Sequence, residues 1–136
     1  MRLKTILYGS MLILVLVSAS ISAQTPGAFL GELTWPEAEQ KFKTAPVVII
    51  PFAGGAKEHG PHLPMNADQA VMEYLCRKAV ENHPVIVAPP VLHGWFSAFR
   101  DFPGTHIANS ETFSRYLQEI AESLILAGAK RILFLN

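Results

Sequence analysis

The chain lacks the means for an internal disulfide: its 136 residues include one cysteine, Cys76, and a single thiol closes no bridge. It also lacks an excess of charge, since eleven Lys and Arg face eleven Asp and Glu. Phosphate contacts need clustered cations, and with no basic run present there is no electrostatic basis for nucleic-acid binding. Repeats and low-complexity tracts are missing too, while half the residues are hydrophobic, which excludes a disordered chain. The length suits one small domain.

The longest apolar run lies at the start. Arg2 and Lys4 precede the unbroken stretch Met11 to Val17, and Ser20-Ile21-Ser22-Ala23 supplies small residues before a cut. Residues 1–23 therefore read as a secretory signal, with a mature chain beginning at Gln24 and exported to the periplasm or secreted. An uncleaved anchor is the rival reading, but the apolar core falls short of the roughly 20 residues needed to span a bilayer. No stable membrane anchor is expected after cleavage. No cysteine follows the small residues, so lipid attachment there is excluded. The mature segment, 24–136, keeps nine basic against eleven acidic side chains. Cys76 sits within an apolar helical pattern and reads as a small core residue rather than a nucleophile.

Gln24 to Gly31 contains Pro26 and Gly27 without periodicity and reads as a flexible lead. Glu32 to Lys43 follows as a short helix, with Thr34 as N-cap and Pro36 in the first turn. The β-branched run Pro46 to Ile50 is continuous rather than alternating, the pattern of a strand covered on both faces. Phe52 to Asn66, rich in Gly, Pro and His, is a loop of the length that usually carries function. Val71, Leu75 and Ala79 mark one face of a helix over Ala67 to Asn82. A second strand, Val85 to Ala88, leads into a loop from Val91 to Asn109. A further helix starts at Ser110, with a stripe of Phe113, Leu117, Ile120, Leu124 and Ala127 and Gly128 as terminator. Ile132 to Leu135 is a third strand. Strands alternating with helices imply an α/β fold with a parallel sheet, in which ligands bind beyond the carboxyl ends of the strands. Both long loops leave from those ends.

The densest polar cluster is Lys57-Glu58-His59-Gly60-Pro61-His62-Leu63-Pro64, with Asp68 nine residues after His59. A divalent ion that activates water needs imidazole and carboxylate ligands on a stiff loop, and Pro61 and Pro64 supply stiffness. The alternative is a surface loop in which Asp68 only complements the dipole of the helix it opens. His62 reads better as a structural or ligand-orienting histidine than as a ligand. Trp95 and Phe96 fit equally a cleft wall or a cover for the sheet, Arg100 and Asp101 a solvated pair, and His83 a helix end.

These motifs resemble a known family. Glu32-Leu33-Thr34-Trp35-Pro36-Glu37, the apolar strand, His59-Gly60-Pro61-His62-Leu63-Pro64 with Asp68, Phe102-Pro103-Gly104-Thr105, Glu111-Thr112-Phe113 and the run to Asn136 resemble, in order, the first half of the creatininase (creatinine amidohydrolase) family. The resemblance implies a three-layer α/β/α fold with a mostly parallel sheet. It also implies an amidohydrolase that cleaves amide C–N bonds of small molecules or peptides with two divalent ions, zinc, manganese or iron, and a possible homo-oligomer. Carried over, His59 and Asp68 match metal ligands, Asp68 as the bridge. The family's remaining ligand in this segment is a Glu two residues before the histidine, where this chain has Lys57; Glu58 comes one residue late, in a loop one residue longer, and is the third candidate ligand. Asn136 matches the Asn of an Asn-Gly-His segment, so the family's other ligands would lie beyond it. The expectation is a chain cut after its third strand, whose alternatives to an enzyme are an inactive remnant and a secreted metal-binding module without turnover.

Overall fold

The computed structural model describes residues 25–136; the expected export signal, 1–23, lies outside the described residues. Strands and helices alternate as β1 (Ala28–Phe29), α1 (Trp35–Thr44), β2 (Val47–Pro51), α2 (Ala67–Asn82), β3 (Val85–Val87), α3 (Ser110–Leu126) and β4 (Ile132–Leu135). The strands form one sheet in the order β1-β3-β2-β4, and every pairing is parallel.

The β-branched run takes the central position that its composition requires. Val47, Val48 and Ile49 pair with Val85, Ile86 and Val87 on one side, and Val48 to Pro51 pair with Ile132 to Leu135 on the other. Alternate side chains of β2 then enter two cores. Val48 and Ile50 meet Phe42 of α1 and Leu124 of α3, while Ile49 meets Met72, Cys76 and Val80 of α2. The sheet is thus sandwiched, α1 and α3 against one face and α2 against the other, as the three-layer expectation holds. Cys76 is buried in this second core, and loss of water pushes its thiol pKa up, the behaviour of an inert core residue.

Local signals set the helix ends. The Glu37 carboxylate accepts from both the N–H and the hydroxyl of Thr34 (2.8 and 2.6 Å), which closes the start of α1. Asn109 Oδ1 accepts from the Glu111 N–H at 2.8 Å and opens α3. Gly128, at φ +113°, ends it, with the Ala129 N–H returning to the Leu124 carbonyl at 2.9 Å.

Four expectations need correction. The lead is not free: the Gly27 N–H donates to the Val80 carbonyl, and Ala28 and Phe29 pair with Ile86 and Val87, so Ile132 to Leu135 is the fourth strand rather than the third. The first helix begins at Trp35, because Leu30 to Glu32 form a separate 3-10 turn. The buried face of α2 is Met72, Cys76 and Val80, one position on from the expected stripe; Val71 and Leu75 are exposed. Both series are apolar at a spacing of four, so periodicity alone left the phase open. On α3, Ala127 lies exposed past the helix end, while Leu117 and Ile120 pack as expected. Among the described residues, no helix is long and apolar enough to cross a membrane.

Candidate functional site

The loops after β2 and β3 diverge to opposite faces of the sheet, since β2 leads to α2 and β3 leads to α3. In open α/β sheets such a divergence leaves a crevice at the carboxyl ends of the strands. Here the loops are first tied together. Phe52 bridges Val91 in parallel, the Ala53 N–H donates to Val91 O (3.0 Å), and the Gly55 N–H donates to Leu92 O (2.9 Å). Farther out, the Glu58 N–H donates to Thr105 Oγ1 across the loops (3.2 Å), while within the first loop the Lys57 N–H donates to Met65 O (3.0 Å).

Asp68 projects from the first turn of α2 toward this crevice. Its Oδ1 stands 3.5 Å from His59 Nε2, and its Oδ2 is paired with Lys57 Nζ at 2.6 Å. The contact at 3.5 Å is too long to count as a sound hydrogen bond, and His59 Nε2 is buried without any partner. A buried nitrogen left this way carries the full desolvation penalty, which makes it a candidate donor to an ion. Gly54 makes the arrangement possible: a Cβ there would come within 3.1 Å of Lys57 Cβ and 3.3 Å of Asp68 Oδ2.

Glu58 is not brought to this pair. Its carboxylate accepts from the Gly60 N–H in a tight turn, and Gly60 holds φ +80°, where a Cβ would also meet the His62 ring. His62 itself is exposed. Of the three expected ligands, the structure brings His59 and Asp68 together and leaves Glu58 folded on its own loop. Among the described residues, no three His, Cys, Asp or Glu side chains converge in a way that would hold a metal ion.

A cavity of about 490 Å³ opens beside the pair, lined by Lys57, Asp68, Val71, Leu75, Trp95, Phe96, Phe113 and Asn136 among others. Trp95 and Phe96 are therefore cleft walls, and the exposed apolar side of α2 is the cavity floor. Lys57 Nζ lies over the Phe99 and Phe96 rings, at 5.0 and 5.8 Å from their centroids. Arg100 sits over Trp95 at 5.9 Å, so its neighbour is the ring rather than Asp101. The His93 and His106 rings meet at a tilt, centroids 4.7 Å apart and planes at 48°, a contact within the second loop that the sequence did not suggest. His83 caps the end of α2, its N–H on the Ala79 carbonyl, as expected. The sequence reading missed the aromatic seat of Lys57; the signal available for it was the spacing of Phe96 and Phe99 in the facing loop.

Comparison with known proteins gives a consistent picture. The family model for Creatininase, creatinine amidohydrolase, matches residues 31–136. A creatinine amidohydrolase of Pseudomonas putida is 30% identical over 113 residues, covering 79% of this chain and 44% of the relative. A mycofactocin precursor peptide peptidase of Mycolicibacterium smegmatis is 30% identical over 115 residues, covering 80% and 46%. A solved manganese form of creatininase superposes with a TM-score of 0.74 at 29% identity, covering 81% of this chain and 45% of that one. The chain thus spans about half the length of the curated relatives it matches.

Proposed function

The chain belongs to the creatininase family, and from that premise we propose that it works as a metal-dependent amidohydrolase, hydrolysing an amide C–N bond in a small molecule or a peptide. The observation that carries this reading is the buried, unpartnered His59 Nε2 facing Asp68 Oδ1 at 3.5 Å. Two ligands of a tetrahedral ion, each roughly 2.1 Å from it, stand roughly 3.4 Å apart, so the pair has the spacing of adjacent ligands. Imidazole with carboxylate suits zinc, manganese or iron. When bound, a divalent ion there supplies Lewis acidity and an activated water.

The remaining work falls to the chain. His59 and Asp68 would hold the ion, and Glu58, whose carboxylate accepts from the Gly60 N–H, would serve as a third ligand only by giving up that bond. Trp95, Phe96 and Phe113 wall the cavity, and Asn136 lines it as well. The cavity volume falls within the range of small-molecule sites, roughly 300 to 1,000 Å³.

The test is metal-dependent turnover on creatinine and on short peptides. Stripping with a chelator should abolish hydrolysis, zinc or manganese should restore it, and His59→Ala should prevent restoration. Undiminished hydrolysis after stripping would overturn the reading. Export belongs to the same proposal, with cleavage between Ala23 and Gln24. Intact mass of exported protein should start at Gln24, and a mature species retaining residues 1–23 would refute it.

A further inference from the structure

The geometry points to Lys57 as a resident cation that occupies one oxygen of Asp68 and limits this centre to a single divalent ion. The inference rests on the metal reading above and concerns how many ions Asp68 can serve.

Lys57 is not a wandering surface lysine. Its side chain is 18% exposed, its ammonium lies 2.6 Å from Asp68 Oδ2, and two aromatic rings stand beneath it. Its backbone is fixed by the N–H bond to Met65 O, and Gly54 leaves the space in which the ion pair sits. Packing, hydrogen bonding and cation–π attraction therefore hold the same charge in one place.

A carboxylate arranged in this way has divided duties. Oδ1 faces the unpartnered imidazole nitrogen and is free to join it on an ion, whereas Oδ2 is already neutralised. A second divalent ion on Oδ2 would have to expel the ammonium from its aromatic seat or share the oxygen with a like charge a few ångströms away. Repulsion at that range in a partly buried crevice is large. Lys57 thus supplies a fixed positive charge on the Oδ2 side of Asp68, and the divalent ion is confined to the His59 side.

Ion counting tests this without reference to turnover. The full chain, equilibrated with excess zinc or manganese and freed of unbound ion by gel filtration, is analysed for metal by mass spectrometry and titrated by calorimetry. Wild type should retain one ion per chain. Lys57→Met keeps the aliphatic stem, removes the charge and frees Asp68 Oδ2, so it should retain more than one ion per chain. Two ions per wild-type chain would overturn the inference and leave the metal reading standing. An unchanged ion count in a folded Lys57→Met protein, verified by circular dichroism, would do the same. No ion retained by either protein would overturn both.

Discussion

The two loops at the carboxyl end of the sheet divide the site between them. The first, after β2, carries the polar groups: Lys57, Glu58 and His59, and at its far end Asp68 on the opening turn of α2. The second, after β3, contributes chiefly aromatic surface: Trp95 and Phe96 on the cavity and Phe99 under the ammonium. A charged group held against rings and backbone keeps its position with little reorganisation, while the same group on a lone Gly-Pro loop would not. The candidate polar groups thus sit on one loop, and the rings beside Lys57 on the other.

The largest effect should come from attacking the chemistry directly. Asp68→Ala should strip nearly all bound metal from the protein after dialysis, whereas His62→Ala, a change at an exposed residue, should leave most of it. Equal losses, read by elemental analysis, would break the division by promoting His62 to ligand.

Next is the scaffold from which Asp68 hangs. Met72 lies one turn along α2 and is 3% exposed, so Met72→Ala should destabilise by about 2 to 5 kcal/mol. Val71, 60% exposed at the cavity edge, should tolerate alanine within about 0.5 kcal/mol. Chemical denaturation of the two variants distinguishes the observed helix phase from the one read in the sequence.

Thr105→Val probes the tie between the loops. It removes the hydroxyl that accepts the Glu58 N–H and should lower stability by about 0.5 to 1.5 kcal/mol. It should also make the first loop more open to limited proteolysis. An unchanged digestion pattern would mean that the first loop keeps its shape without the second.

The smallest effect lies away from the site. Hydrogen bonds from the Thr34 side chain and backbone hold the Glu37 carboxyl below its ordinary value of 4.5. Because the folded value is depressed, the stabilisation is fully present above that ordinary value and is lost as pH falls through the lowered one. Glu37→Gln should therefore melt slightly lower than wild type at neutral pH and converge with it in acid. A gap that persists in strong acid would assign the difference to another cause.

Much of this architecture could be read along the chain because its signals are local. The run Val47 to Ile50, the turn residues around it, the bounds of α2 and the Gly128 stop each depend on neighbours a few residues away. β1 was invisible because two residues carry no periodicity, and only pairing with Ile86 and Val87 makes them a strand. The phase of α2 was open because Val71 with Leu75 and Met72 with Cys76 are equally apolar. At the site, His59 and Asp68 could be paired by spacing and resemblance. The fate of their neighbours could not: Lys57 is seated by rings about forty residues later, and Glu58 is turned by a backbone amide.

The splice between the loops also has a meaning in time. The amides of Ala53 and Gly55 are bonded to Val91 and Leu92 just beyond the strand ends, beside the isolated Phe52–Val91 bridge, so their exchange with solvent should be slower than that of free loop amides. The openings that exchange requires are rare events compared with the nanosecond motions of free loops. The inner ends of the two loops should therefore keep their places whether or not a ligand is present.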